Sequence, residues 1–198
     1  MPVYAEADPA LVAAAKSGDL AAFNTLVLEF QDAVYSLTYR LIGERDAAAD
    51  AAQEAFISAF RRLDSYRDGS FRAWLLKIAA NQCYDEFRRR KRRPTVSFEE
   101  TTGDDDSLVP IPSPDETPEQ AVQRGETAQA IQRCLMALPP DQRAVVVLTD
   151  VEGFDYQAVA DQVGAALGTV RSRLSRARAA LRECLRGALE LSGPNGRL

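Results

Sequence analysis

Apolar residues recur every three or four positions in two long parts of the chain, residues 9–93 and 124–187, with polar and charged residues between them. This is the period of a helix that buries one face against a core. Turn-forming residues interrupt the pattern and predict four helices in each part. The interruptions fall at residues 17–18, 43, 64–70, 138–140, 152–153 and 164–167. The pattern therefore predicts an all-α chain of two small helical domains.

The last predicted helix, Leu167–Leu185, has an apolar face and a basic face. Its apolar residues follow one stripe at helical spacing: Val170, Leu174, Ala177, Leu181 and Leu185. Six arginines lie between and just beyond them: Arg171, Arg173, Arg176, Arg178, Arg182 and Arg186. Thr169 is a candidate N-cap, because its hydroxyl can accept a backbone N–H of the first turn. Such a helix suits a nucleic-acid groove, although a solvated amphipathic helix has the same pattern.

The residues before this helix have the spacing of a helix-turn-helix. Ala160 is small enough for two helices to cross closely, and Gly164, four residues later, can adopt the left-handed turn conformation. Val170 and Leu174 would then anchor the second helix on the first. This arrangement leaves the outer residues of the second helix for a DNA major groove.

A second basic segment ends the fourth predicted helix, which starts at Phe71. Its last six residues before Pro94 are all basic: Arg88, Arg89, Arg90, Lys91, Arg92 and Arg93. One or two cations at a helix C-terminus complement the helix dipole. Six in a row repel one another, and contacts with nucleic-acid phosphates are the usual compensation.

The acidic residues are concentrated between the two helical parts. The net charge is −5, but residues 94–123 contain eight carboxylates and no basic side chain. This segment is expected to be a disordered, self-repelling linker, with mimicry of nucleic acid as the alternative. The expected domains are residues 1–93 and 124–190, with the linker 94–123 between them and a tail at 191–198. Because the arginines cluster outside the linker, the net charge does not argue against DNA as a partner.

Missing residue types exclude several classes of function. The chain has no histidine, so imidazole is unavailable for acid–base catalysis or metal binding. No catalytic constellation, metal site or cofactor is predicted, which leaves a small helical enzyme without support. Cys83, Cys134 and Cys184 lie far apart, so buried free thiols are expected rather than a disulfide or zinc site, with redox sensing as the alternative. No apolar run approaches the roughly 20 residues of a membrane span and no signal peptide is recognised, so a cytoplasmic location is expected.

Several motifs resemble the extracytoplasmic-function sigma factors of bacterial RNA polymerase, of the sigma-70 family. DAAADAAQEAF, residues 46–56, resembles the region 2.2 motif of that family, and FRAWLLKIAANQCYDEFRRRKRR, residues 71–93, resembles its region 2.4. LPPDQRAVVVLTDVEGFDYQAVADQVGAALGTVRSRLSRARAALR, residues 138–182, resembles its region 4. The motifs occur in the family's order, with a variable linker between regions 2 and 4. The resemblance implies a non-catalytic subunit that directs promoter-specific transcription initiation.

For the first domain, the resemblance implies contact with the clamp helices of the polymerase β′ subunit and recognition of the promoter −10 element. The implied polymerase contacts are Asp50, Gln53, Glu54 and Phe56, although the first three by themselves suit a solvated helix face. The implied −10 residues, which would capture an unpaired base, are Tyr66, Arg67, Asp68, Gly69, Ser70, Phe71, Trp74 and Asn81. The basic run Arg88–Arg93 would contact the DNA backbone.

For the second domain, the resemblance implies reading of the −35 element and docking on the flap of the β subunit. The implied −35 residues are Thr169, Arg171, Ser172, Arg173, Ser175 and Arg176. Arg173 and Arg176 suit bidentate contacts with guanine, and Arg178 would contact a phosphate. The resemblance also implies a monomer that is controlled by an anti-sigma factor and is not inserted in a membrane. The alternative is a stand-alone helix-turn-helix transcription regulator, which would need a sensor or dimerisation domain that the first 93 residues do not suggest.

Overall fold

The computed structural model describes residues 6–92 and 117–192. The first range forms four helices and a short 3-10 turn: α1 Pro9–Lys16, α2 Leu20–Ile42, α3 Arg45–Arg62, the turn Leu63–Ser65, and α4 Phe71–Arg92. The second range forms four helices, with a π-helical turn in the middle: α5 Pro118–Met136, α6 Pro140–Val146, the turn Val147–Val151, α7 Tyr156–Val163, and α8 Leu167–Ser192. No strand occurs in these two ranges, as expected for an all-α fold.

The short polar residues and glycines of the sequence set several helix ends. Asp19 Oδ1 accepts the backbone N–H groups of Ala21 and Ala22 at 2.8 and 3.1 Å and so caps α2. Gly43 ends the same helix at φ +85°, a left-handed conformation that glycine adopts without steric cost. These ends depend on neighbouring residues only, and the sequence predicts both.

Helix α5 begins inside the segment expected to be a linker. Thr117 and Gln120 form a capping box: the Thr117 hydroxyl accepts the backbone N–H of Gln120, and the Gln120 side chain accepts that of Thr117. Pro118 occupies the first helical position, where its missing N–H costs nothing. Residues 118–123 are therefore helical, and the expectation of disorder is wrong for them. The rest of the expected linker, up to residue 116, lies outside the described residues.

Helix α8 begins two residues before its expected cap. The Ala166 carbonyl accepts the backbone N–H groups of Thr169 and Val170 at 2.8 and 3.1 Å. Thr169 therefore lies inside the first turn, and the prediction of Thr169 as N-cap is wrong. The two residues that extend the helix are Leu167 and Gly168, whereas Ala165 and Ala166 lie in the turn before it. The helix accordingly extends back towards the turn at Gly164.

The two groups of helices, α1–α4 and α5–α8, pack against each other and share one continuous apolar core. Helices α5 and α6 lie against α2, and α7 lies against α4. The Met136 sulfur occupies the space that a Cβ on Gly43 would need, and Arg143 Nη1 donates a hydrogen bond to this sulfur at 2.7 Å. The Arg143 guanidinium also lies 5.9 Å from the centre of the Phe87 ring. The chain is therefore in a closed arrangement.

The second group contains a disulfide between Cys134 on α5 and Cys184 on α8, whose Cα atoms are 5.7 Å apart. The expectation of free thiols at these two positions is wrong. The bond depends on the packing of α5 along α8, which brings together residues 50 positions apart. Cys83 is a free, buried thiol as expected, and burial raises its pKa to about 12.

Candidate functional site

Helices α7 and α8 form the expected helix-turn-helix. Asp155 caps α7 by accepting the Ala158 backbone N–H at 2.8 Å, and Gly164 makes the turn at φ +63°. Ala160 of α7 is buried together with Val170 and Leu174 of α8. The small Ala160 side chain permits a close crossing of the two helices, and the opposite face of α8 is left for other contacts.

The outer face of α8 carries the residues expected to read the −35 element. Four of them are exposed: Arg171, Ser172, Ser175 and Arg176. Thr169 and Arg173 are half-buried. Arg173 Nη2 forms an ion pair with Asp141 Oδ2 of α6 at 2.7 Å. The expected residues therefore share one face, but one of the two arginines proposed for guanine is held by an acidic side chain of the same chain.

Arg178, the expected phosphate contact on α8, is paired with Asp150. Its Nε and Nη2 atoms donate to the two carboxylate oxygens of Asp150 at 2.8 and 2.6 Å. This hydrogen-bonded pair lowers the pKa of Asp150, and the same contact raises the pKa of Arg178. A fork-to-fork pair of this kind is the geometry in which arginine also binds phosphate.

The loop before α4 carries a cluster of three aromatic rings. Tyr66, Phe71 and Trp74 lie with their ring centres 5.5 Å apart in each pair. The Tyr66 hydroxyl donates to the Gly69 carbonyl at 2.7 Å and closes the loop, and Ser70 Oγ caps α4 by accepting the Ala73 N–H at 3.0 Å. Phe71 is buried, Tyr66 and Trp74 are half-buried, and the rest of the loop is exposed.

A cavity of about 570 Å³ lies between this loop and α1. The loop side includes the exposed residues Arg67 and Asp68, and the other side includes Glu6 and Lys16. Lys16 Nζ donates to the Tyr66 carbonyl at 2.8 Å and lies 5.9 Å from the centre of the Tyr66 ring. Ser70 Oγ donates to Glu6 Oε1 at 2.6 Å. Sequence reasoning missed Glu6 and Lys16, because no local pattern indicates that α1 packs beside this loop.

Asn81, the remaining expected −10 residue, lies apart from the cavity and contacts the second group of helices. Its Oδ1 accepts a hydrogen bond from Gln162 Nε2 of α7 at 2.7 Å. The same Gln162 nitrogen donates to the Lys77 carbonyl at 2.8 Å. The structure therefore brings the other expected −10 residues together and places Asn81 at the contact between α4 and α7.

The basic end of α4 is described in part. Arg88 forms an exposed ion pair with Asp85 at 3.3 Å, and Arg89 pairs with Glu86. The backbones of Arg90, Lys91 and Arg92 belong to α4, but their side chains lie outside the described residues, as does the whole of Arg93. An exposed pair one turn apart contributes little to stability, so Arg88 remains available to a stronger anion. The partner of Arg89 is more buried, since the Glu86 side chain is 14% exposed.

The expected polymerase contacts on α3 lie between two surface depressions. Asp50, Gln53 and Glu54 are exposed, and Phe56 is half-buried. Asp50 and Glu54 line an acidic depression between α3 and α4, with Asp85 and Glu86 opposite. Phe56 lines an apolar groove of about 800 Å³ between α2 and α3, and Gln53 lines both.

The apolar groove was not expected from the sequence. Leu20 and Phe60 stand at its edges with 62% and 42% of their surface exposed. The helical period assigns Phe60 to the buried face of α3, together with Ala59. The helical period does not show where the core ends. Only the structure therefore reveals that Phe60, a large apolar side chain, is exposed.

The contact between the two groups includes a buried ion cluster that sequence reasoning also missed. Glu152 follows the π-helical turn, and its side chain is 2% exposed. Its Oε2 accepts from Arg72 Nη2 of α4 at 2.7 Å, and its Oε1 lies 3.5 Å from Arg40 Nη1 of α2. The sequence predicts a turn at Glu152 and gives no sign of these partners, which are 80 and 112 residues away.

No group of three or more metal-binding side chains occurs in the described ranges. None of the helices in those ranges has both the length and the apolar composition of a membrane span. A helix-turn-helix with an arginine-bearing outer face and a second basic helix beside an aromatic cavity define a helical DNA-binding protein.

Comparisons with known proteins agree with this class. The family model described as Sigma-70 region 2 matches residues 26–93, and the one described as Sigma-70, region 4 matches residues 128–181. The chain is 40% identical over 172 residues to the ECF RNA polymerase sigma factor SigE of Mycolicibacterium smegmatis, covering 85% of this chain and 65% of that relative. It is 36% identical over 190 residues to the RNA polymerase sigma-H factor of Pseudomonas aeruginosa, covering 93% and 96%.

Two solved structures are similar over most of the chain. The sigma factor RpoE of Bartonella quintana, in complex with the anti-sigma factor NepR, has a TM-score of 0.61 and 30% identity, over 83% of this chain and 96% of that one. CnrH, in complex with the cytosolic domain of CnrY, has a TM-score of 0.55 and 26% identity, over 90% and 96%.

The chain belongs to the sigma-70 family and, within it, to the extracytoplasmic-function RNA polymerase sigma factors. The expected fold, with a region 2 unit and a region 4 unit that contains the helix-turn-helix, is confirmed. The expectation of a sigma factor, rather than a stand-alone regulator, is also confirmed, because both regions occur in one chain in the family's order.

Proposed function

We propose that this chain binds core RNA polymerase through α3 and directs it to promoters by reading a −10 element with the first group of helices and a −35 element with the second. The observation that carries the proposal is the presence of two separate DNA-binding features, the aromatic cavity beside α4 and the arginine face of α8, on two units that a long segment connects. The domain limits proposed for these units are residues 1–93 and 124–190, the second extended back to Pro118, where α5 begins, with the tail 191–198 after them.

The proposed polymerase contact combines an exposed polar face with an apolar groove. Asp50, Gln53 and Glu54 offer charge and hydrogen bonds, while Phe56 and the groove between α2 and α3 offer apolar surface. An exposed apolar groove with a polar rim is a typical docking surface for a partner helix. The partner proposed here is the clamp-helix element of the polymerase β′ subunit, with the β flap as a second contact for the α5–α8 unit.

The proposed −10 contact is the capture of an unpaired base at the cavity beside α1. The half-buried Tyr66 ring lines the cavity and offers a stacking surface, and Trp74 packs against that ring. The exposed loop residues Arg67, Asp68 and Ser70 offer hydrogen bonds to base edges. Gly69 gives the loop its φ of +109°, and the buried Phe71 supports the rings from below. Stacking supplies about 1–3 kcal/mol per base, which offsets part of the cost of unstacking it from the duplex.

The proposed −35 contact uses the outer face of α8, with Arg171, Arg173 and Arg176 as base or phosphate ligands and Thr169, Ser172 and Ser175 as small polar contacts. Arg173 would exchange Asp141 for DNA, and Arg178 would exchange Asp150 for a phosphate. Arg88, Arg89, Arg90, Lys91, Arg92 and Arg93 would contact the backbone of the duplex near the −10 element.

We further propose a cytoplasmic monomer without catalytic activity or cofactor. Its activity would be controlled by an anti-sigma factor, as the complex of the similar sigma factor RpoE with the anti-sigma factor NepR suggests. The apolar groove and the cavity beside α1 are surfaces that such a partner could cover.

The test of the proposal is transcription in vitro with core polymerase on a library of promoter fragments. We expect transcripts that depend on the added chain and that start downstream of two shared sequence elements. In a parallel pull-down, Asp50→Ala with Gln53→Ala should weaken binding to core polymerase. The matched control is Glu29→Ala, which removes an exposed acid on α2 that does not line the groove. Absence of binding by the wild type, or equal binding by the double variant and the control, contradicts the proposal.

A further inference from the structure

The buried ion cluster joins the two groups of helices through one carboxylate and two guanidinium groups. Glu152 belongs to the second group, while Arg40 and Arg72 come from two different helices of the first, α2 and α4. The side chains of Glu152 and Arg72 are 2% and 10% exposed, whereas that of Arg40 is 33% exposed. The two arginines therefore converge on one point of the first group, and an anion from the second group occupies that point.

The free-energy cost of moving the two groups of helices apart depends on which anion replaces the Glu152 carboxylate between the two arginines. Two guanidinium groups brought close together repel each other, and an anion placed between them offsets that repulsion. Arginine is the side chain best suited to phosphate, because its planar donors match phosphate oxygens in the way they match a carboxylate. A phosphate could therefore take the position of the Glu152 carboxylate.

The location of the cluster favours a nucleic-acid phosphate over other anions. Arg72 lies in the first turn of α4, directly after Phe71, which lines the cavity beside α1. Further along the same helix, Asn81 is bound by Gln162, and the α4 end carries the basic run. In the closed arrangement, the second group thus contacts α4, which carries three of the eight proposed −10 residues, Phe71, Trp74 and Asn81.

We propose that Arg40 and Arg72 form a binding site for a backbone phosphate of the unpaired promoter strand, and that Glu152 occupies this site in the closed chain as a built-in competitor. The assignment of a phosphate from promoter DNA rests on the proposed function. Closing and DNA binding are then mutually exclusive, because one position cannot hold both anions. Gln162 likewise stabilises the closed chain, because it binds Asn81. The chain opens when core polymerase or DNA supplies competing contacts.

The test measures DNA binding by the full chain without polymerase. Fluorescence anisotropy would follow a labelled, random-sequence single-stranded 20-nucleotide DNA, since phosphate contacts do not depend on sequence. Glu152→Gln keeps the shape of the side chain and removes its charge. It should lower the apparent Kd at least about fivefold, because the apparent Kd varies inversely with the fraction of open chain. Glu126→Gln is the matched control, since it makes the same change at an exposed position of α5.

Two further variants separate opening from phosphate binding. Arg72→Gln added to Glu152→Gln should abolish the gain in affinity. Gln162→Ala, which weakens the closed arrangement without altering the ion cluster, should also raise affinity, and it serves as the opening variant if Glu152→Gln fails to fold. The radius of gyration in solution reports opening directly.

Equal affinity of Glu152→Gln and Glu126→Gln, with Glu152→Gln folded, overturns the competitor role. A gain that persists after Arg72→Gln overturns the phosphate site. Neither result depends on transcription: if the wild type failed to direct core polymerase, the proposed function would fail while these comparisons of the free chain would still stand.

Discussion

Cys134 on α5 and Cys184 on α8 are joined by a disulfide, although 50 residues separate them in the sequence. The bond connects the helix that packs on the first group to the helix that carries the arginine face. It therefore restrains the unfolded state of the second group, where it closes a long loop.

Reduction of this disulfide should lower the free energy of unfolding of the second group by about 2–4 kcal/mol. The measurement is urea unfolding with and without dithiothreitol, followed by circular dichroism. Thiol titration in denaturant should find one free thiol before reduction, that of Cys83, and three after it. Three reactive thiols in a sample never exposed to reductant would show that the bond is not formed in solution.

Asp150→Asn should lower the free energy of unfolding by about 0.5–1 kcal/mol at pH 7, because it removes a partly exposed ion pair with Arg178. The pKa of Asp150 is lowered in the folded chain, so its stabilising effect is present above its unfolded pKa of about 4 and is lost as the pH falls through the folded pKa. The difference from wild type should therefore shrink below about pH 4. Asp161→Asn on α7 is the control in the same urea titrations, and an equal loss in both variants would argue against a specific pair.

Arg176→Ala should weaken binding of the holoenzyme to its promoter by about 1–3 kcal/mol, because an exposed arginine in the third turn of α8 is placed to bind a base. Arg182→Ala removes an arginine further along the same helix and should have a smaller effect. Anisotropy with promoter DNA gives both values. If Arg176→Ala weakened binding equally to the natural promoter and to one with a scrambled −35 element, Arg176 would contact a phosphate and not a base.

Tyr66→Ala should reduce open-complex formation by an amount equivalent to about 1–3 kcal/mol, because it removes a stacking surface of the cavity. Tyr66→Phe keeps the ring and removes only the hydrogen bond to the Gly69 carbonyl, which contributes about 1 kcal/mol. Permanganate reactivity of unpaired thymines near the start site measures the open complex. Equal defects in the two variants would assign the role of Tyr66 to holding the loop and not to stacking.

Features that depend on neighbouring residues follow from the sequence. The caps at Asp19 and Asp155, the turns at Gly43 and Gly164, and the buried stripe of α8 are examples. Each results from a side chain or backbone conformation acting within one or two helical turns. The early start of α5 also has a local cause, the capping box formed by Thr117 and Gln120. The acidic composition of the segment predicts disorder instead, although the capping-box residues are visible in the sequence.

Features that depend on packing between distant parts could not be predicted. The disulfide, the partners of Glu152 and the wall that α1 adds to the cavity require knowledge of which helices meet. The same is true of Arg173 and Asp141, since a sequence shows which charges are present but not which of them neutralise one another. The local signals thus identify the DNA-facing helices, and the contacts that restrain them come from the tertiary structure.

Gly43 carries two constraints that differ in origin. Its left-handed conformation ends α2, a demand that asparagine could also meet, while the Met136 sulfur fills the space where any side chain would begin. Asparagine here would satisfy the turn but would force Met136 out of its position. In homologous chains, glycine at this position therefore leaves room for a contact like that of Met136, and a larger residue requires the flexible side chain opposite it to move.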